Sequence, residues 1–240
     1  MVEEDWSIIN ADHPAPDDEI PYGASPDQVI DVFGSSSDER ALIFVHGGFW
    51  RPEHSRIHAR TALRSLSTNN IQCLSLEYRR IPGEPETMFA DLHLALDHVE
   101  DLLQRRPTLL MGHSAGGLLA LKLAEDNSRA WWNRVLALAP VTDLASARDS
   151  NLGERAVAAM FPDRADDDHF TPGPADGVHV DVIHGSRDTR VPVSMSRNYC
   201  ARTGAQLTEC TDVGHFELID PSSSAWPIVA ECVLKDSTYR

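Results

Sequence analysis

No run of eighteen uninterrupted apolar residues occurs in this chain of 240, so the sequence offers no transmembrane helix of ordinary length. The opening residues, M-V-E-E-D-W-S-I-I-N, lack the basic and apolar regions of a secretory signal, and a cytoplasmic location is expected. Cysteine is scarce. The four present, Cys73, Cys200, Cys210 and Cys232, form no C-x-x-C pair in a chain long enough to fold without disulfide staples, and reduced thiols are expected. Basic residues are outnumbered, 21 Lys and Arg against 37 Asp and Glu, and the formal charge of -16 repels phosphate backbones and anionic lipid. Neither nucleic acid nor a membrane is an expected partner. Also missing are H-E-x-x-H, a close Cys/His set, a phosphate loop and G-x-G-x-x-G, so no metal and no cofactor are expected. The acidic run at 166–169 reads as a solvated loop. No internal repeat is visible, nothing in the sequence sets the oligomeric state, and a homodimer stays open.

What is present has an ordinary folded composition, 42% apolar and 24% charged, at a length that suits a single domain spanning 1–240. Residues 1–26, rich in Pro, Asp and Glu without periodicity, read as an extended arm over the domain. Val29 to Phe33 alternates, residues 35–40 make a polar turn, and Ala41 to Val45 is continuously apolar, which together predict a hairpin leading into a buried strand. Further buried strands are expected at Ile71 to Leu76, Thr108 to Met111, Val135 to Leu138 and Val178 to Ile183. Helical spacing fills the intervals. It is clearest over 86–104, where Phe89, Leu92, Leu96, Val99 and Leu103 share a face, and it recurs at Ala115 to Asp126, Val193 to Thr203 and Pro227 to Leu234. Strands alternating with crossover helices imply an α/β fold with a mostly parallel sheet covered on both faces. Residues 141–177 break the rhythm and read as a lid-like excursion above the sheet, with a merely decorative insertion as the alternative.

The chemistry concentrates in T-L-L-M-G-H-S-A-G-G, residues 108–117, where a buried strand runs through G-x-S-x-G into a helix. In that context the motif is a nucleophile elbow that exposes the hydroxyl of Ser114, the competing reading being a helix N-cap. A serine hydroxyl needs a base within hydrogen-bond reach and an acid to orient the base. Asp188, in the loop after the strand ending at Ile183, is the expected acid. Asp181 lies within that strand, Asp143 follows the preceding one, and Asp212 is too close in sequence to the expected base. That base is His215, between a weak final strand and the last helix. Donors for a developing oxyanion are expected from the backbone N–H of Ala115 and from Gly48 or Phe49 in H-G-G-F-W, with His46 as scaffold. Trp50, Tyr78 and Phe161 could wall an aromatic pocket or equally be core.

These segments resemble the esterase and lipase branch of the α/β-hydrolases, and most closely the kynurenine formamidase type. The likeness spans about residues 22 to 220 and rests on Y-G-A-S-P-D-Q-V-I-D-V-F, H-G-G-F-W, L-E-Y-R-R-I-P-G-E-P with Asp91, G-H-S-A-G-G, D-T-R-V-P and G-H-F. It implies the α/β-hydrolase fold and cofactor-free cleavage of a small-molecule ester or aryl formamide. Phe49, where lipases carry a third glycine, and His113 in the elbow both shift the likeness toward formamidases. A bulky residue beside the oxyanion hole would favour formyl and acetyl groups, unless Phe49 is simply packed core. The alternatives are a broad carboxylesterase and a non-catalytic ligand-binding relative.

Overall fold

A computed structural model of the chain describes residues 6–103, 106, 108–126 and 132–235. The apolar runs assemble into one eight-stranded sheet in the order β1-β2-β4-β3-β5-β6-β7-β8. The strands are β1 (Asp18–Pro21), β2 (Val29–Phe33), β3 (Arg40–Val45), β4 (Ile71–Leu76), β5 (Thr108–His113), β6 (Trp132–Leu138), β7 (His179–Gly185) and β8 (Gln206–Cys210). β1, β2 and β4 pair antiparallel, and from β4 onward every pairing is parallel. The period of two along each strand sorts the side chains. Ala41, Ile43 and Val45 of β3 join the core beneath α2 (Pro85–Leu103) and α3 (Ala115–Asp126), and Leu42 and Phe44 join the core on the opposite face. There α1 (Arg60–Ser67) contributes Leu63 and Leu66, and the C-terminal helix Trp226–Leu234 contributes Val229 and Val233.

The helices at 115–126 and 193–203 and the strands at 29–33 and 71–76 have the extents expected from sequence, and the others agree to within one to three residues. Residue 104, the expected end of α2, lies outside the described residues, as do residues 1–5 of the arm. The expected hairpin is not formed. Ser35 and Asp38 do make their turn, but β2 pairs with β4 and leaves β3 to the sheet centre. Every residue of β4 is buried, so β4 requires a partner strand on each edge, and β2 supplies one while β3 supplies the other. The arm is also more regular than expected, because Asp18–Pro21 adds β1 to the sheet edge.

The 141–177 excursion folds as three short helices, α4 (Leu144–Asp149), α5 (Ala156–Met160) and α6 (Ala165–Phe170). Leu144, Ala147, Val157, Phe161 and Phe170 anchor it in the same core as α2. Arg148 fastens it by donating to both Asp167 oxygens, at 2.7 and 2.5 Å, and to the Phe161 carbonyl at 2.5 Å. The following helices are α7 (Val193–Thr203) and α8, the C-terminal helix.

A buried ionic cluster ties β2 and the ends of β3 and β4 together. Asp31, fully buried on β2, accepts from Arg56 Nε and Arg60 Nε at 2.7 Å each. Glu77, just past β4, accepts from the Arg56 backbone N–H at 3.0 Å, faces His46 Nε2 at 2.8 Å and is paired with Arg80. Burial works against the Glu77 carboxylate, but His46 and Arg80 outweigh it and hold the carboxyl well below its ordinary value of 4.5. Such a carboxylate contributes stability that is full above pH 4.5 and is lost as pH falls toward the lowered folded value. Glu77→Gln leaves buried cations uncompensated and should cost about 3–5 kcal/mol in urea unfolding at pH 7. The difference from the parent protein should shrink as the pH is taken below 4.5. An unchanged urea midpoint at pH 7 would remove Glu77 as the tie.

Candidate active site

β5 runs into Ser114, which adopts φ 58°, and α3 begins at Ala115. A left-handed serine stores on the order of 1–3 kcal/mol of strain, which the surrounding contacts must hold. Two glycines make the turn fit. A Cβ on Gly112 would come within 2.2 Å of the Gly116 carbonyl oxygen, and one on Gly116 within 2.1 Å of the Val45 oxygen. The Ser114 N–H donates to the Leu138 carbonyl at 2.8 Å, which fastens the turn to the end of β6. Gly47 completes the approach, since a Cβ there would lie 2.9 Å from that of Ser114. The H-G-G loop and the elbow are therefore in backbone contact.

Asp188, its side chain fully buried, follows β7, and His215 opens the turn Phe216–Ile219 after β8. His215 Nδ1 stands 2.6 Å from Asp188 Oδ2. The other oxygen, Oδ1, accepts the backbone N–H groups of Arg190 at 2.8 Å and Val191 at 2.7 Å. His184 Nε2 lies 3.1 Å from Oδ2 as a further partner. Burial opposes ionisation of Asp188, yet the His215 charge and hydrogen bonds from both histidines win and keep its carboxyl well below 3.8. An ionised acid at Nδ1 fixes the tautomer with its proton there, and the imidazole lone pair is then on Nε2. His113, inside the elbow, donates from Nε2 to the His215 carbonyl at 3.1 Å, and burial followed by the neighbouring histidines holds it neutral. It props the His215 backbone.

The rejected acids have other work. Asp181 accepts from Arg134 at 2.8 Å, Asp143 caps α4 by accepting from the Ser146 N–H, and exposed Asp212 pairs with Arg187 at 2.6 Å. Ser114 and His215 line one cleft, whose space is roughly 420 Å3 with its open mouth included. Gly48 and Phe49 line it too, and Ala115 lies directly after Ser114, in the first turn of α3, where N–H groups have no intrahelical acceptor. Gly48, Phe49 and Trp50 all have positive φ, at 110°, 51° and 56°, so the loop bends sharply beside the cleft.

Trp50, Tyr78 and Phe161 do not reach this cleft. Trp50 packs edge-on against Phe161 at 5.1 Å, and Tyr78 stacks on His46 at 4.6 Å while its hydroxyl donates to the His46 carbonyl at 2.8 Å. All three are core, because large rings next to a sheet bury more area there than at a small opening. The excursion at 141–177 contributes nothing to the cleft wall either. The wall instead includes Trp6 and Ile9 from the arm, Arg190 and Phe216 from the loops holding Asp188 and His215, and His54 and His58. The last is pushed down to about 3 by burial. Of these, Arg190 and Phe216 were findable from their nearness in sequence to Asp188 and His215. Trp6 carries no local signal beyond being aromatic in an acidic segment.

The sequence profile described as the alpha/beta hydrolase family matches residues 42–176, more than half of the chain and inclusive of the H-G-G loop and the elbow. Among curated proteins, a kynurenine formamidase of Meyerozyma guilliermondii is 26% identical over 106 residues, covering 43% of this chain and 41% of its own. Esterase LipU of Mycobacterium tuberculosis is 29% identical over 146 residues, covering 57% of this chain and 47% of its own. The alignments span less than half the length of either relative. Among solved structures, esterase B of Lactobacillus rhamnosis superposes with a TM-score of 0.76 at 19% identity, over 93% of this chain and 86% of that one. Thermogutta terrifontis esterase 2 gives 0.74 at 16% identity, over 93% and 94%. At these identities the structural likeness carries the fold, an eight-stranded and mostly parallel sheet between helices. With the profile match across the loop and the elbow, the chain belongs to the alpha/beta hydrolase family.

Proposed function

We propose that the protein is a serine hydrolase that cleaves a small acyl ester or an aryl formamide through an acyl-enzyme on Ser114. The observation that carries this reading is the 2.6 Å contact between His215 Nδ1 and buried, ionised Asp188, in a loop pair whose histidine shares the cleft with a strained, elbow-borne serine. In the proposed reaction Ser114 Oγ attacks the substrate carbonyl while His215 Nε2 takes the hydroxyl proton. The tetrahedral oxyanion accepts hydrogen bonds from the N–H of Ala115 and of Gly48 or Phe49. His215 returns the proton to the departing alcohol or aryl amine, the carbon–heteroatom bond breaks, and the acyl group stays on Ser114. Water then attacks with the same base, the acid is released and Ser114 regains its proton. No cofactor enters the balance. The curated relatives named above as a formamidase and an esterase support this pair of substrate classes.

A second reading, a broad carboxylesterase, has one observation in its favour. Phe49 separates the Ser114 cleft from a neighbouring cavity lined by Trp50, Ala156, Ala159 and Met160, into which a longer acyl chain could extend. With the ring in place the short-acyl reading is the better supported.

Ser114→Ala should fold normally, lose at least about 10^4-fold in kcat toward p-nitrophenyl acetate and N-formylkynurenine, and no longer react with a fluorophosphonate. Asp188→Asn should lose about 10^4-fold through the wrong tautomer. Asp143→Asn and Asp212→Asn are fair controls, since Asn caps a helix as Asp does and tolerates the φ of 61° at residue 212. Both should stay within a few-fold of the parent. Comparable losses in all three Asn variants would leave Asp188 without its assigned role, and near-normal turnover in Ser114→Ala would end the proposal.

Acyl length separates the two readings. Phe49→Gly should shift relative kcat/KM toward butyryl and octanoyl esters by about tenfold or more, because it removes the wall between cleft and cavity. Truncating a buried ring costs about 3–5 kcal/mol, partly offset here because glycine is relaxed at a φ of 51°. Parent protein that cleaves octanoyl as fast as acetyl esters would replace the short-acyl reading with the carboxylesterase one.

A further inference from the structure

Among the described residues the wall of the Ser114 cleft holds no Asp or Glu, although the chain carries 37 acids against 21 bases. Arg190 is the sole Lys or Arg among the described residues of that wall. Several arginines elsewhere are engaged by carboxylates, such as Arg60 with Asp31 at 2.7 Å, Arg79 with Asp91 at 2.6 Å, Arg148 with Asp167 at 2.5 Å and Arg197 with Glu209 at 2.5 Å, while Arg106 and Arg202 spend their donors on backbone carbonyls. Arg190 is different. Among the described residues its guanidinium meets no carboxylate, and its carbon lies over the Trp6 ring at 5.1 Å and over the Phe49 ring at 5.6 Å. Ring contacts of this kind steady a guanidinium while occupying none of its five N–H donors. A steadied fork with unspent donors matches a carboxylate in both charge and shape.

The main chain reinforces the placement. Arg190 N donates to Asp188 Oδ1 at 2.8 Å, so the guanidinium is carried by the same loop that orients His215. Beneath it, Trp6 packs on Phe216 at 4.7 Å and gives the cleft mouth an apolar, aromatic side. Of the ring nitrogens nearby, those of His54 and His58 are held toward the neutral form chiefly by burial, which leaves the arginine as the fixed charge facing the opening. A cleft whose described wall carries one arginine and no acid favours an anion.

We infer that Arg190 is a specificity-determining residue that anchors a carboxylate borne by the substrate, so that the substrate class is a small aryl ester or formamide carrying its own carboxylate away from the scissile bond. This rests on the proposed hydrolysis at Ser114, and a binding measurement separates the two. The substrate pair is 4-acetoxybenzoate and its methyl ester, which share the scissile acetyl group and differ in charge. The kcat/KM ratio of carboxylate to methyl ester should fall by about 10- to 100-fold in Arg190→Met, a side chain that still packs on both rings, through loss of the charge-assisted hydrogen bonds. Arg190→Lys should restore part of the ratio, having the charge without the fork. In parallel, 4-acetamidobenzoate is titrated calorimetrically into Ser114→Ala and into Ser114→Ala/Arg190→Met. Binding is expected to the first and to be weakened by a similar factor in the second, with the methyl ester insensitive to the change. Equal losses on both esters, or carboxylate binding that ignores Arg190, would overturn the anchor while leaving hydrolysis intact. Arg190-dependent binding without turnover of either ester would leave the anchor standing and overturn the hydrolase reading.

Discussion

Everything at the cleft depends on a backbone-to-backbone contact that has no room for a side chain. The first turn of α3 lies against the ends of β3 and β5 so closely that neither Gly112 nor Gly116 could carry a Cβ. This contact forces the left-handed Ser114 and lifts its hydroxyl clear of the sheet. It also sets the distance between the elbow and the H-G-G loop through Gly47. The large core beneath, with Leu110, Val135 and Leu118 wholly buried, supplies the stability against which that strain is held.

A second layer of control is ionic and sits on the opposite side of the H-G-G loop. His46 heads the loop, is stacked on Tyr78 and faces Glu77, so the loop is fixed from behind by charge while the elbow fixes it from the front by shape. Asp188 repeats the arrangement at the other side of the cleft. Two backbone N–H groups and two imidazoles converge on one carboxylate, which keeps it ionised despite burial. Burial here raises the cost of ionisation and also strengthens each interaction that offsets it.

Those parts of the architecture that follow from chain-local patterns were legible in the sequence. The elbow is one, since strand, glycines, serine and helix are contiguous, and α2, α3 and α7 are others, because their periodicity is uninterrupted. Partnership between distant segments was not legible. The turn at residues 35–38 looks like a hairpin in isolation, and only the need to cover both edges of β4 decides against it. Residue type does not decide where core and pocket compete for the same aromatics: Trp50, Tyr78 and Phe161, open between the two in sequence, lie in the core, and Trp6, from the segment with the least pattern, lies at the cleft. The histidine and acids of the loops could be ranked because strand order limits which loops converge on one end of a parallel sheet.

The N-terminal arm meets the loops after β7 and β8 at the cleft mouth, where Trp6 rests on Phe216 and under Arg190. Contacts of this kind contribute about 0.5–1.5 kcal/mol each, far less than the core holding the sheet. The Trp6 side chain can therefore be displaced at a small fraction of the cost of global unfolding, while Ile8 and Ile9 keep its segment on the core. The width of the entrance is accordingly an energetic threshold and not a rigid aperture: a bulkier molecule is admitted at the cost of displacing one indole ring, and its penalty appears in the rate of entry while the shape of the innermost site stays unchanged.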